Sequence, residues 1–152
     1  MLYTSHIAGG LIVGSLTGDY MAAMAGTLII DADHLIPIIR TGTFFRPIDL
    51  IANTFKQEDV YGHTNQRGIL HSLFSWAVIS AMLIVINFPF GFAFACAYGM
   101  HLALDCIDSA DFFPFFPYKQ VNIKGPITYA SAREHVFCFV LLSIFIVINF
   151  VK

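Results

Sequence analysis

The sequence predicts an all-α protein, a polytopic membrane bundle of about four to five helices with a polar site near one membrane face. Three observations favour this class. Hydrophobic residues make up 57% of the 152-residue chain and charged residues only 12%, with a mean hydropathy of +0.73. An average soluble domain is about 25% charged. Ionisable residues also recur inside apolar segments, as in "IIDADHLIPII" at 29–39.

The length and the charge limit the other classes. A chain of this length forms one domain, so we expect residues 1–152 to be a single integral membrane domain. A very hydrophobic soluble helical domain is the alternative. The net charge of −2 and the lack of a basic run predict no nucleic-acid partner. The N-terminus shows neither the basic region nor the cleavage site of a signal peptide.

Three segments are long enough to cross the bilayer core, the last two marginally: residues 69–88, 91–107 and 135–151. Pro and Gly in "NFPFG" predict a tight turn between the first two of these. "SAREH" carries Ser131 and Glu134 at the spacing of a capping box, which predicts the start of the last helix.

The N-terminal region predicts a hairpin of two short helices, at about 5–17 and 20–36. "SLTGDY" interrupts the apolar run, and Asp19 is expected to cap the second helix. The first helix covers only about 20 Å at 1.5 Å per residue, less than the full bilayer core.

The basic residues predict the orientation. The loops at 40–67 and 108–133 contain seven of the eight Lys and Arg residues, and the hairpin between them puts both loops on one side. By the positive-inside tendency this side is cytoplasmic. Aromatic and Pro residues in "DFFPFFPYK" suit the membrane–water interface.

The polar residues of the apolar segments converge on that same side. A carboxylate at the centre of a membrane helix costs about 2.5–3.5 kcal/mol. Such groups usually face the bundle interior and have a partner. The spacings of Asp31 to His34 and of His101 to Asp105 place each pair on one helix face. The converging residues are His6, Asp31, Asp33, His34, His71, His101 and Asp105.

This residue set predicts a metal site. Imidazole and carboxylate ligands together suit zinc first, with manganese or iron as alternatives, and one or two divalent ions. The interpretations that remain open are hydrogen-bonded core histidines and a proton relay or ion pathway. We expect His6, Asp31, His34, His71, His101 and Asp105 to be ligands, and Asp33 to be either a ligand or a base that orients a water.

Four motifs in order resemble the bacterial inner-membrane-bound metal-dependent hydrolases, the YdjM/YbcI-like proteins. The motifs are His6, "DADH" at 31–34, "RGILHS" at 67–72 and "HLALD" at 101–105. That family is distantly similar to zinc-dependent phospholipase C. The resemblance implicates Arg67 together with the seven residues above. It departs from the pattern at Gln66, where the family tends to have His, and at Leu70, where it has Thr.

The leading hypothesis is therefore a metal-dependent hydrolase of the bacterial inner membrane that acts at the cytoplasmic face on a phosphoester or lipid head group. Asp33 and Arg67 are its candidate catalytic residues, with Arg67 holding a phosphate; a salt-bridging Arg67 is the alternative. Membrane lipid and a small-molecule or lipid substrate are the expected partners. A metal-ion transport or binding protein and a structural protein with a relic site are the other hypotheses.

Overall fold

The protein is seen in a computed structural model that describes residues 3–34, 39, 45–46 and 67–151, and of His34 the backbone alone. Five α-helices lie in this part of the chain. They are α1 (Tyr3–Thr17), α2 (Tyr20–Leu28), α3 (Leu73–Ile86), α4 (Phe88–Ile107) and α5 (Ala132–Val151). The described residues also include two short 3₁₀ helices. Ile29–His34 follows α2, and Ile69–His71 precedes α3. Most of the predicted loop at 40–67 lies outside the described residues.

The prediction of an all-helical protein is confirmed for the described residues, where two isolated β-bridges occur but no strand. Helices α4 and α5 are each twenty residues long and apolar enough to cross a membrane. Helix α3 is shorter than the predicted span at 69–88, because Ile69–His71 form a separate 3₁₀ turn. Ser72 then caps α3 by accepting a hydrogen bond from the Ser75 amide.

The N-terminal hairpin is confirmed, but its second helix ends early. The Asp19 carboxylate accepts a hydrogen bond from the Ala22 amide at 2.9 Å, which is the predicted cap. Gly18 turns the chain with a φ of 79°, which glycine adopts at little cost. The prediction of one regular helix to residue 36 is wrong, since α2 stops at Leu28 and the chain tightens into a 3₁₀ helix at Ile29–His34.

A single residue, Asn87, separates α3 from α4, which confirms the predicted tight turn. Its side chain caps α4 by accepting a hydrogen bond from the Phe90 amide, and Pro89 lies in the first turn of that helix. A Cβ atom at Gly91 would lie 2.3 Å from the Ile84 backbone nitrogen. Only glycine permits the two helices to approach so closely at this turn.

Helix α4 lies at the centre of the bundle, where it packs against α1, α2 and α3, while α5 packs against α1. The main cluster of buried side chains joins α2, α4 and the segment after α4. Its members are Ala22, Ile30, Ala93, Phe94, Tyr98, Leu102 and Phe112.

The two ends of the bundle differ in chemistry. At one end, Ser15, Tyr20 and Asn149 form a ring of uncharged hydrogen bonds that joins α1, α2 and α5. At the other end lie the ionisable residues described below. The helix α5 begins at that end, where the Ser131 hydroxyl caps the Glu134 amide and the Glu134 carboxylate accepts from the Ala130 amide. In the predicted capping box the Glu134 carboxylate would accept from the Ser131 amide, and here it accepts from the amide one residue earlier.

Close contact between α2 and α4 depends on Gly26. A Cβ atom there would lie 2.4 Å from the Phe94 carbonyl oxygen. We predict that Gly26→Ala destabilises the protein by about 1–3 kcal/mol through overpacking, although alanine has the higher helix propensity. Chemical denaturation in detergent, followed by circular dichroism, measures the change.

Gly99→Ala is the matched control for this variant. It is also a helical glycine, but its added Cβ would make an ordinary 3.5 Å contact with Trp76. Equal stability changes in the two variants would contradict the proposed close packing of α2 on α4.

Candidate metal centre

His71 is positioned from behind by Asp33. The His71 Nδ1 atom lies 3.1 Å from Asp33 Oδ2, which also accepts a hydrogen bond from the Gly68 amide at 2.9 Å. Because a carboxylate only accepts, the proton of this contact lies on Nδ1, and in the neutral tautomer Nε2 then carries the lone pair on the other side of the ring. A carboxylate behind a histidine is the arrangement that orients histidine ligands in metal sites.

His101 is held in the same sense by a backbone carbonyl. Its Nδ1 atom lies 2.9 Å from the Thr27 carbonyl oxygen, which can only accept a hydrogen bond. The neutral ring therefore presents the lone pair of Nε2. That atom is buried and has no hydrogen-bond partner among the described residues. Thus the Nε2 atoms of His71 and His101 face the same space.

Two carboxylates complete this group. Asp31 Oδ1 lies 3.5 Å from His71 Nε2 and 3.6 Å from His101 Nε2. Asp105 Oδ2 lies at the same two distances, 3.5 Å and 3.6 Å, from the same two nitrogens. These separations exceed the N–H···O hydrogen-bond range of about 2.7–3.2 Å. Two imidazole nitrogens and two carboxylate oxygens therefore face each other across this space.

The four nitrogen–oxygen distances match the spacing of ligands around a tetrahedral cation. Ligands at about 2.1 Å from a tetrahedral zinc ion are about 3.4 Å from one another. The four measured separations in the cluster, 3.5–3.6 Å, agree with that value. The cluster is also deeply placed, since His71, His101 and Asp105 are each 1% exposed. A bound cation is one way in which a buried group of this kind is compensated.

His6 lies beside this group. Its ring stacks on His101 with centroids 3.7 Å apart, and its Nε2 lies 3.5 Å from Asp105 Oδ1. Its Nδ1 is buried without a hydrogen-bond partner among the described residues. His6, His101 and Asp105 thus form a second set of three groups that could hold an ion.

Arg67 forms ion pairs with Asp105 and Asp108. One terminal nitrogen, Nη2, donates to Asp105 Oδ1 at 2.8 Å and to Asp108 Oδ2 at 2.7 Å. The other, Nη1, donates to the backbone carbonyls of Ala110 and Asp111, each at 3.3 Å. Both terminal nitrogens are engaged inside the protein. This arrangement favours the salt-bridging interpretation of Arg67 over the phosphate-binding one.

The structure brings together six of the seven residues expected at the metal site: His6, Asp31, Asp33, His71, His101 and Asp105. The 3₁₀ helix at Ile29–His34 explains why Asp33 belongs to the group, because its tighter turn brings Asp31 and Asp33 to opposite nitrogens of His71. The side chain of His34 lies outside the described residues, as does Gln66.

Two contributors were not predicted as part of the site. The Thr27 carbonyl orients His101, and no side-chain pattern signals a backbone oxygen. Asp108 shares Arg67 with Asp105. It lies seven residues after His101, and this helical spacing was its signal in the sequence.

In the described part of the chain, fold and site together define a helical protein with two helices able to span a membrane and a buried histidine–aspartate cluster at one end. The family model of the YdjM inner membrane proteins matches residues 1–152. The chain belongs to this family of inner membrane proteins. No curated protein and no solved structure matches it.

Arg67 gives a direct test of the buried ion pairs. Arg67→Met leaves Asp105 and Asp108 without their cation, and both are at most 2% exposed. We predict that the variant loses about 3–5 kcal/mol of unfolding free energy, the usual cost of breaking a buried ion pair. Denaturation in detergent measures this loss.

Lys124→Met is the control, because Lys124 forms an exposed pair with Asp111 at 2.7 Å. Hydrogen bonds from Lys124 and Asn122 hold the pKa of Asp111 below its ordinary value, but solvent screens this pair. Its loss costs about 1 kcal/mol or less. A similar loss in both variants would contradict a special role for Arg67.

Proposed function

We propose that the protein binds one divalent metal ion through Asp31, His71, His101 and Asp105. The observation that carries this proposal is the convergence of two imidazole nitrogens and two carboxylate oxygens, with four nitrogen–oxygen distances of 3.5–3.6 Å. Two imidazoles and two carboxylates suit zinc, and they also suit manganese or iron, which prefer more oxygen ligands.

We further propose that this centre serves a hydrolase. A bound divalent ion lowers the pKa of a coordinated water and so supplies a hydroxide nucleophile near neutral pH. Within the chain, Asp33 and the Thr27 carbonyl fix the two imidazoles. Arg67 holds Asp105 by its Oδ1, which leaves Oδ2 for the ion. Asp33 and Arg67 are positioning residues in this scheme.

His6 has a different place in the scheme. Its ring is held against His101, and its Nδ1 is a buried atom that lacks a partner among the described residues. A histidine so placed can supply a further ligand atom to the centre.

A phosphoester or lipid head group is the proposed substrate, at the cytoplasmic face of the inner membrane. Membership of an inner membrane protein family and two helices that could cross a membrane support the location. The concentration of Lys and Arg in the segments 40–67 and 108–133 of the sequence supports the proposed orientation. A multi-pass topology follows if α1–α3 also lie in the bilayer.

A structural metal site is the second candidate. Four protein ligands around one ion are typical of closed structural sites, whereas catalytic zinc usually has three protein ligands and a water. An ion-conducting path has less support. Residues 73–100 contain no Asp, Glu, Lys, Arg or His, and the described end of the bundle opposite the cluster is held by the uncharged ring of Ser15, Tyr20 and Asn149.

Metal content tests the proposed centre. We predict one tightly bound Zn, Mn or Fe ion per chain in the wild type and none after His71→Ala/His101→Ala, measured by inductively coupled plasma mass spectrometry on detergent-purified protein. His135→Ala is the control, because His135 is exposed on α5 and bonds to the Ser131 carbonyl. A wild type without metal after reconstitution, or a double variant that retains the ion, contradicts the centre.

Hydrolysis separates the two candidate functions. Metal-loaded wild type is predicted to hydrolyse bis(p-nitrophenyl) phosphate or short-chain phosphatidylglycerol, and to lose this activity on chelation and in His71→Ala. His135→Ala is expected to retain it. If the metal raises the unfolding temperature but neither phosphoester is cleaved, the structural role is supported and the hydrolase proposal fails.

A further inference from the structure

An apolar cavity lies on the outer side of α4, next to the candidate metal centre. It has a volume of about 370 Å³, within the range of about 300–1,000 Å³ that is typical of ligand sites. Helix α3 contributes Trp76, α4 contributes Gly99 and Ala103, and the segment after α4 contributes Phe112, Phe115 and Val121.

Hydrogen bonds fix the wall of the cavity and leave no unpaired polar group on Trp76. The Trp76 indole nitrogen donates to the Ala95 carbonyl at 2.9 Å, so its ring presents carbon to the cavity. The segment after α4 is tied to α3 by a 2.8 Å hydrogen bond from the Leu73 amide to the Pro114 carbonyl. Cavities lined in this way exclude water and accept apolar ligands.

The cavity opens to the side of the bundle. Ala103 is exposed and Gly99 is partly exposed, and they share one face of α4 with the exposed Phe92. Helix α4 is long and apolar enough to cross a membrane. The opening therefore continues the surface that hydrocarbon chains contact in an inner membrane protein.

A basic residue accompanies the lining segment. Lys119 lies between Phe115 and Val121 in the chain, is exposed, and has its ammonium group 5.8 Å from the ring centre of Phe113 and 5.9 Å from that of Phe116. Among the described residues no acidic side chain forms an ion pair with it. An ammonium group held on aromatic rings beside an apolar cavity complements a lipid with an anionic head group.

We propose that this cavity binds an acyl chain of an anionic membrane phospholipid, with the head group next to Lys119. The proposal concerns binding and holds whether or not the metal centre is catalytic. That the bound lipid is also the substrate rests on the proposed function. The Phe112 ring supports this link, since it lines the cavity and lies 5.9 Å from the Arg67 guanidinium carbon.

Trp76 provides the measurement, because it is the single tryptophan of the chain and lines the cavity. The full-length protein in detergent micelles is titrated with phosphatidylglycerol brominated in its acyl chains, which quenches tryptophan at short range. We predict quenching that saturates at a low mole fraction of lipid. Quenching that rises in proportion to lipid without saturation overturns the proposal.

Cavity-filling variants show where the lipid binds. Ala103→Phe places a ring in the opening and is predicted to remove about half or more of the saturable quenching, the effect expected when a pocket is filled. Ala81→Phe, the same change at an exposed α3 position outside the cavity, is expected to retain it. Equal quenching in the two variants overturns the assignment. Gly99→Leu replaces Ala103→Phe if the latter does not fold.

Two further arms separate the claims. Brominated phosphatidylcholine is predicted to bind more weakly than phosphatidylglycerol, and Lys119→Gln to remove the difference; equal binding of both lipids by the wild type overturns the anionic part. In the His71→Ala variant, brominated phosphatidylglycerol is predicted to quench Trp76 with the same saturation as in the wild type. Failure to bind metal therefore disproves the metal centre alone, whereas failure of saturable quenching disproves the lipid site alone.

Discussion

The compensation of Asp105 is the constraint on which this end of the bundle depends. Its carboxylate is 1% exposed inside the central helix, where an unpaired charge costs several kcal/mol. Arg67 engages Oδ1, while Oδ2 faces His71 and His101 at distances too long for hydrogen bonds. One half of the carboxylate is thus satisfied by Arg67, and the other half faces the two imidazoles, where we propose that the metal ion binds.

The residues around this carboxylate share one effect, which is to orient the imidazole rings of His71 and His101. Asp33 and the Thr27 carbonyl each accept a hydrogen bond from the Nδ1 atom of a histidine, so both Nε2 atoms point inward. Gly68 permits this arrangement, because a Cβ atom there would lie 2.8 Å from Asp33 Oδ2. Orientation by such contacts is typical of metal sites. The geometry therefore supports binding more directly than it supports any particular reaction.

The sequence predicted the helical class, the cap at Asp19, the tight turn at 87–91 and the meeting of the polar residues, because these follow from apolar periodicity, turn and capping chemistry and the cost of buried charge. It did not predict the 3₁₀ helix at Ile29–His34, since the same apolar run suits either helix. The role of Asp33 depends on that turn. The lateral cavity was not predicted either, because it arises from packing between segments distant in sequence.

X-ray absorption spectroscopy on the zinc-loaded full-length protein tests the central claim most directly. The account predicts a first shell of nitrogen and oxygen alone, with outer-shell scattering from two imidazoles that is lost in a His71→Ala/His101→Ala variant. Cys106, which follows Asp105 in the chain and is partly buried, is a sulfur ligand that the account excludes. A sulfur shell at about 2.3 Å, or a spectrum without imidazole scattering, would contradict the assignment of Asp31, His71, His101 and Asp105.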